Sequence, residues 1–535
     1  MKVSEFKRLF DVASKRKRVN WETMYKEAME IFCPDRENFY NQMSGQKKGR
    51  QVYTSQPTIA LDKASNNLHA SLTPHMKKWV YLKPGRAIPK ENEESAGRSL
   101  EQIKDTLFDH IHSSNFDLAA SEFYKDLYIG TAALLVTGTA KNPLIFTSVP
   151  LHELYIATGP LGIVDKVFRR YKVRYGDILN TWDDANVDKD MQALINESPE
   201  KEIEVIEGTV PKKIKVFDPN LNTEVEVDGF GYYVCSAKLS NQGSYLVERE
   251  MPVSPWIVAR WSVLSGEEWG RGPAILSLND AKTLNQFVKL HMQSMELTVH
   301  PMYTVVDDGV INISSIRIGP GAIIPVSAND GVFGATIAPL RSGGNFQAGQ
   351  IELQRLEAAI NDHMYTEAIG SVTLPVKTAT EISIRQEELA KRIGSAYGRL
   401  QYEFIKPLIN ACLYQLDRLN IINMNNFRVD GHNIAIDTVS PLALGQSQEE
   451  INAVVRYVEF AMTAFGPQIG LTFMKPDKIL EFMGKQLNVP MDIRMSEEEV
   501  QQGKEMLAQL SMQQGMSEGA QNGQSGIPRQ AGGAV

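Results

Sequence analysis

The amino-acid sequence predicts an α+β protein, mainly helical, in which long helices carry a β-rich region and a small separate β insertion. Three stretches make the prediction. Between Thr378 and Leu419, Leu389, Ile393, Ala396, Leu400, Phe404 and Leu408 recur every three or four residues. Arg385, Glu388, Lys391, Arg392 and Arg399 fill the other faces, which is the pattern of one amphipathic rod, roughly 60 Å long as a continuous helix. Between Leu144 and Trp261 the period shortens to two, the spacing of strands. Between Met302 and Gly344 a second β segment interrupts two helical patterns, so that the helix pair would form a projecting stalk with a β tip.

Composition bounds the class. A chain of 535 residues has room for about three or four domain-sized units. Its 43% hydrophobic and 22% charged content is that of a globular chain, and no apolar run approaches the ~20 residues of a membrane span. Lys15, Arg16, Lys17 and Arg18 are followed by no apolar stretch, so no secretory signal is expected and the chain should fold in a reducing compartment. Cys33, Cys235 and Cys412 are too scattered for a disulfide framework or a zinc site. The net charge of −8 argues against a surface built to grip nucleic acid, yet it suits a passage that must not hold it.

In order along the chain, a helical region from Val3 to Phe32 is carried by Phe6, Leu9, Phe10, Val12, Met24, Ala28 and Ile31. Ile59 to Leu72 forms a further helix that stops at Thr73-Pro74, before a short strand at Trp79 to Leu82. Leu100 to Ile111 and Asp117 to Val136 read as a helical pair, the second wholly apolar from Ile129 onward. The β region follows, with a turn at Thr158 to Gly162 and one helix beginning at Tyr175. Pro273 is placed to open the first stalk helix, with Ile275, Leu278, Leu284, Val288, Met292 and Met295 on one face. The second, Phe346 to Ala368, presents Leu353, Leu356, Ile360 and Met364 and stops at Gly370. In the insertion, Asp308-Gly309 between Tyr303–Val306 and Val310–Ile313 predicts a hairpin. Thr378 and Glu381 have capping-box spacing at the start of the rod, Gly394 and Gly398 weaken it, and Pro407 predicts a bend. Ser447 and Glu450 cap a helix from Ile451 to Phe465, and Pro476 opens another through Leu487. The Gln-, Met- and Gly-rich tail, 501–535, should be mostly disordered.

Motifs for bond chemistry are scarce. No phosphate loop of the G-x-x-x-x-G-K-[ST] type occurs, and Gly319-x-Gly321 lacks the third glycine of a dinucleotide site. His152-Glu153 opens like a zinc-protease helix, but Ile156 stands where the second histidine would be needed. Asp183, Asp184, Asp188 and Asp190 have Lys189 among them and no glycine turn, so they read as a solvated loop and not a cation site. The doublets Lys47-Lys48, Lys77-Lys78 and Arg169-Arg170 are candidate phosphate contacts, although such doublets are more often solvated faces. No catalytic residue, metal or cofactor is expected.

Four pieces in joint order carry a family resemblance: LHASLTPHMKKWVYL at Leu68–Leu82, FYKDLYIGTAALLV at Phe123–Val136, GEEWGRGPAILSLNDAKTLN at Gly266–Asn285, and TATEISIRQEELAKRIGSAYGRLQYEFIKPL at Thr378–Leu408. The chain resembles the portal, or head-to-tail connector, proteins of short-tailed bacteriophages over nearly its whole length. The resemblance implies a portal fold. In it 1–261 is the wing, helical and then β-rich, 262–297 the first stem helix, 298–345 the clip and 346–370 the second stem helix. The tunnel loop is 371–377, the long kinked helix 378–421 and the crown helices 422–500. It implies a ring, usually of twelve copies, at one capsid vertex of the virion, assembled in the host cytoplasm. Through it double-stranded DNA is packaged and ejected, with a terminase motor, tail adaptors, and capsid and scaffolding proteins as partners, and no membrane. The site residues it implies are Ser371, Val372, Thr373, Leu374, Pro375, Val376 and Lys377 on the channel, and Asp307, Asp308 and Gly309 at the clip tip.

Lys377 is the single charge in the tunnel-loop segment. Two other classes stay open from residues alone. A helical scaffold or signalling oligomer would use the same rod for self-association without needing the stalk, and a nuclease would need paired carboxylates in a better context than any found.

Overall fold

The computed structural model describes residues 1–36, 39, 51–85, 90–218, 223–237, 244–306, 321–326, 337–339, 346–366, 393–424, 434–438, 451, 453–464 and 476–486. These form a mixed helix-and-sheet structure around one large core and two smaller ones.

The N-terminal helical pattern resolves into α1 (Val3–Asn20) and α2 (Glu22–Phe32), broken at Trp21. Helix α3 (Gln56–Leu72) ends at Thr73, and β1 (Val80–Pro84) follows, then α4 (Lys90–Ser113) and α5 (Phe116–Ile129). The expected helix through Val136 is not continuous. It stops at Ile129, and the apolar run becomes β2 (Thr131–Thr137), the central strand of a three-stranded antiparallel sheet between β3 (Ile145–Val149) and β9 (Trp256–Arg260). A strand covered on both faces reads as uniformly apolar, so periodicity could not separate it from a buried helix.

The junction between α5 and β2 is held by close backbone approach. A Cβ on Gly130 would lie 2.3 Å from the Gly270 carbonyl oxygen, and one on Gly272 would lie 2.0 Å from that of Tyr128. The Gly272 N–H donates to the Ile129 carbonyl at 3.0 Å, and the Tyr25 hydroxyl donates to the Gly270 carbonyl at 2.6 Å.

The second sheet is antiparallel and five-stranded: β4 (Leu154–Thr158), β5 (Val164–Arg174), β6 (Glu202–Asp218), β7 (Thr223–Ser236) and β8 (Val247–Met251), in that spatial order. Helix α1 covers one face, packing Phe6 and Phe10 against Phe168, Ile206 and Tyr233. The other face carries the short α6 (Ile178–Thr181) and α7 (Lys189–Glu197), with Ile178, Trp182 and Met191 on Ile203, Val205 and Tyr232.

Helix α8 (Pro273–Leu276) does open with Pro273 and leads into α9 (Leu278–Val299), which packs against α10 (Phe346–His363). The insertion between them contributes β10 (Tyr303–Val306), β11 (Ile323–Val326) and β12 (Ile337–Pro339). Strand β10 is central, parallel to β11 and antiparallel to β12. Residues 307–320, including Asp307, Asp308 and Gly309, lie outside the described residues.

The rod is described from Ile393. It comprises α11 (Ser395–Leu400), one π-helical turn at Gln401–Ile405, and α12 (Lys406–Arg418). Ile393, Ala396, Leu400, Phe404 and Leu408 are all buried. Where the sequence predicted a bend, the turn widens: Lys406 N–H donates to the Gln401 carbonyl, five residues back, immediately before Pro407. Pro407 has no N–H, and its ring would crowd the carbonyl four residues back, so a wider turn relieves the clash. Strand β13 (Ile434–Thr438) pairs antiparallel with β1; a helix at 453–464, α13, and α14 (Pro476–Gln486) complete the described residues.

Candidate functional site

Helices α9 and α10 change character along their length. At the base Leu278, Ala281 and Leu284 of α9, with Leu356 and Ile360 of α10 and the following Met364, belong to the main core. Farther out, Met292 and Met295 of the predicted face are 58% and 49% exposed, and so are Val299 (69%), Leu290 (53%) and, on α10, Ile351 (68%), which the predicted faces did not include. Among the described residues only the partner helix and the small sheet that follows lie along the chain beyond Val288, and one helix cannot cover a full apolar stripe. The outer part of α9 therefore presents Met292, Met295 and Val299 as a ridge of uncovered apolar side chains.

Both ends of the segment that contains Ser371–Lys377 are anchored on the core. The chain leaves α10 at His363, earlier than the predicted stop at Gly370, through Tyr365 with φ 57°. The Tyr365 ring stacks on Trp261 at 6.1 Å between centroids, and Thr366 accepts from Asn67 Nδ2 at 3.4 Å. At the other end, Ile393 is buried and Gly394 has φ 45°, which a residue with a Cβ adopts poorly. Residues 371–377 themselves lie outside the described residues.

The rod is clamped to β9 by one ion pair. Arg260, 3% exposed at its side chain, donates from Nη2 to Glu403 Oε1 at 2.6 Å and from Nε to Oε2 at 3.2 Å. The backbone N–H of Arg260 also donates to Glu403 Oε2, at 3.0 Å. The same guanidinium donates to the carbonyls of Gly162 and Glu268, at 3.0 Å each, so a single residue ties the 159–162 turn, the loop before α8 and the π-helical turn together.

Two further buried groups link the five-stranded sheet to its surroundings. The Lys17 amine donates to the carbonyls of Leu151, His152 (3.3 Å) and Leu154 (2.7 Å) and lies over the rings of Tyr155 and Trp269, at 4.4 and 5.4 Å. Burial pushes its pKa down to about 7, with Glu22 and Glu153 acting in the opposite direction. Glu207 is buried within the sheet and accepts from the Tyr232 hydroxyl at 2.5 Å; Tyr232 in turn accepts from Trp182 Nε1 at 3.1 Å. Burial holds the Glu207 carboxyl above its usual range, partly offset by the Tyr232 hydrogen bond and the charge of Arg169.

The charge doublets fare differently from a phosphate-binding reading. Arg169 pairs with Glu153 at 2.8 Å, Arg170 with Glu204 at 2.8 Å, and Lys78 with Asp105 at 2.8 Å, so these cations are engaged within the chain. Lys47-Lys48 lie outside the described residues. In the acidic run, Asp184 accepts from Arg249 at 2.7 Å and Asp188 caps α7 by accepting from Met191 N–H at 2.8 Å, which gives both a structural use. Among the described residues no cluster of His, Cys, Asp and Glu has metal-site geometry, and no helix is long and apolar enough to cross a membrane. Sequence reasoning passed over Arg260 and Lys17. An arginine inside the apolar run WIVARW is a readable signal of a buried partner, whereas Lys17 sits in a run that looks solvated.

Residues 5–494 match the model of the bacteriophage head to tail connecting protein family. The chain belongs to that family. A curated relative, described as a probable portal protein of Bordetella phage BPP-1, is 22% identical over 448 residues, covering 82% of this connector and 79% of the relative. Among solved structures, a chain in the virion of a native gene transfer agent particle overlaps 86% of this connector and 93% of its own length. Its sequence identity is 8% and its TM-score 0.34. A chain in the neck of an empty gene transfer agent particle, computed with C6 symmetry, overlaps 81% and 90%, again at 8% identity, with TM-score 0.33. The connector family is structural, which agrees with the scarcity of catalytic motifs in the sequence.

Proposed function

We propose that this connector is a portal subunit that closes into a ring at one capsid vertex. Double-stranded DNA is driven into the head through that ring and later leaves by it. The observation that carries the reading is the family match across residues 5–494. The exposed apolar side chains Met292, Met295 and Val299 on α9 support it physically, because equivalent helices of neighbouring copies would cover side chains that one copy leaves in water. The terminase motor, the tail adaptors and a subunit number of twelve belong to this proposal.

Within the ring, Ser371–Lys377 is the tunnel loop facing the DNA, and Asp307, Asp308 and Gly309 form the clip tip. Lys377 would supply one positive charge per copy at a narrow level of an otherwise acidic assembly, enough for a salt-sensitive contact with passing phosphate without a firm grip. The test is Lys377→Glu. Rings should assemble with stability within ~0.5 kcal/mol of the parent, as for an exposed substitution, while DNA packaging or retention falls. Virions that carry the variant and still hold a full genome would overturn the loop assignment.

A further inference from the structure

Two strands of the five-stranded sheet outrun their neighbours. Strand β5 leaves β6 at the Val167–Thr209 pair and β8 leaves β7 at the Met251–Phe230 pair, yet β6 and β7 stay paired with each other out to Asp218 and Thr223. Lys212–Asp218 and Thr223–Gly229 therefore form a two-stranded ribbon beyond the sheet, about 20 Å long at ~3.4 Å per residue. Among the described residues no strand lies against either outer edge of this ribbon. A lone two-stranded ribbon is marginal in water and gains stability from a further strand. The two edges differ in sign. The β6 side carries Lys212, Lys213 and Lys215 with one acid, Asp218, whereas the β7 side carries Glu224, Glu226 and Asp228 and no base. Lys213 stands opposite Asp228 and Lys215 opposite Glu226, and all four are exposed. Lys212, on the other face, pairs with Glu250 of β8 at 2.6 Å.

We infer that the ribbon joins copies of this chain by strand addition, the outer edge of β6 in one protomer pairing antiparallel with the outer edge of β7 in the next. The complementary surface is on the same chain. Two β6 edges brought together would set lysine against lysine, and two β7 edges carboxylate against carboxylate, both of which are destabilising. Only β6 against β7 puts opposite charges on facing strands, and it repeats between copies the basic–acidic alternation that the ribbon already has within one copy. A contact made from two different edges is heterologous, so each protomer offers one edge to either side, as a closed ring requires. The inference rests on the ring proposed above and deepens it by naming one of its contacts.

The test uses full-length chains and native mass measurement across a salt titration: the parent, Lys213→Glu/Lys215→Glu, Glu226→Lys/Asp228→Lys, and an equimolar mixture of the two variants. Circular dichroism checks that both variants remain folded. Each variant has edges of one sign, so alone it should associate ~10-fold or more weakly than the parent at low ionic strength, with the difference shrinking as salt rises. The mixture sets a basic ribbon beside an acidic one and should recover rings that contain both variants, although like charges still face each other within every ribbon. Backbone amides on the outer edges of 212–218 and 223–229 should exchange with solvent more slowly in parent rings than in dissociated parent. A mixture that assembles no better than either variant would confine these charges to the ribbon's own pairing and overturn the inference while leaving the ring intact. Variants that each form rings as stable as the parent's would overturn it too, including the case in which they differ only in holding added duplex DNA, which would make the lysine edge a phosphate contact. A parent that never leaves the monomer would overturn the ring reading and this inference with it.

Discussion

Arg260 and Glu403 form a buried, doubly bonded ion pair between the end of β9 and the π-helical turn of the rod, with contacts at 2.6 and 3.2 Å from the guanidinium and a third, at 3.0 Å, from the Arg260 backbone. Two charges taken out of water cost little when paired and much when one is left alone. Arg260→Met or Glu403→Met should each destabilise the folded chain by about 3–5 kcal/mol, and the double replacement should recover a large part of that loss. Urea unfolding of the three variants measures it. Equal and additive losses would show that the two side chains do not act as a pair.

The glycines at the α5–β2 junction are predicted to tolerate no side chain. Gly272→Ala would place a methyl group 2.0 Å from the Tyr128 carbonyl oxygen, in contact with backbone that cannot rotate away. Overpacking of this kind costs about 1–3 kcal/mol or more, so the midpoint of thermal unfolding should fall clearly. The same change at Gly162, which has open space around it but φ 74°, should act only through backbone strain.

Lys17 should impose a pH dependence. Its proton is bound less tightly in the folded chain, where burial lowers the pKa from 10.5 to about 7. Between those values the unfolded chain holds more protons, so this group's contribution to stability is present above pH 10.5 and is lost as pH falls through about 7. Lys17→Met should remove that slope. It should also cost about 1–3 kcal/mol where the carbonyls of Leu151, His152 and Leu154 lose their donor. Stability curves against pH for the two chains separate the effects, and an unchanged slope would contradict the burial argument.

Glu207 is predicted to act with the opposite sign. Burial raises its carboxyl above the usual 4.5, so the folded chain holds the extra proton. Its contribution is present below pH 4.5 and is lost as pH rises through the folded value. Glu207→Gln keeps an acceptor for Tyr232 and carries no charge, so it should stabilise the protein at neutral pH and flatten the acid-side slope. A neutral-pH loss of stability would show that the charged carboxylate is favoured in the sheet.

Much of the described helical framework was legible, because proline positions and the three-to-four spacing of Ile393, Ala396, Leu400, Phe404 and Leu408 act locally. The Asp117–Val136 stretch was misread at its second half, since a central strand covered on both faces leaves no period to count. The pairing of β1 with β13 joins segments near opposite ends of the chain, and no local signal announces it. The parallel pairing of β10 with β11 likewise joins segments seventeen or more residues apart, and no local signal announces it. The site was less legible than the fold. Exposure of Met292 and Met295 depends on where the neighbouring helix stops covering them, and the burial of Lys17 depends on a turn at Leu151–Leu154 that lies far along the sequence.

The central claim is that this connector works as a closed ring around an axial channel, and the most direct measurement is the native mass of the purified assembly combined with images along its axis. The account predicts a single species whose mass is an integral multiple of 59.8 kDa and whose end view is a ring with a central hole. A monomer, a compact dimer or an open filament under the same conditions would contradict it.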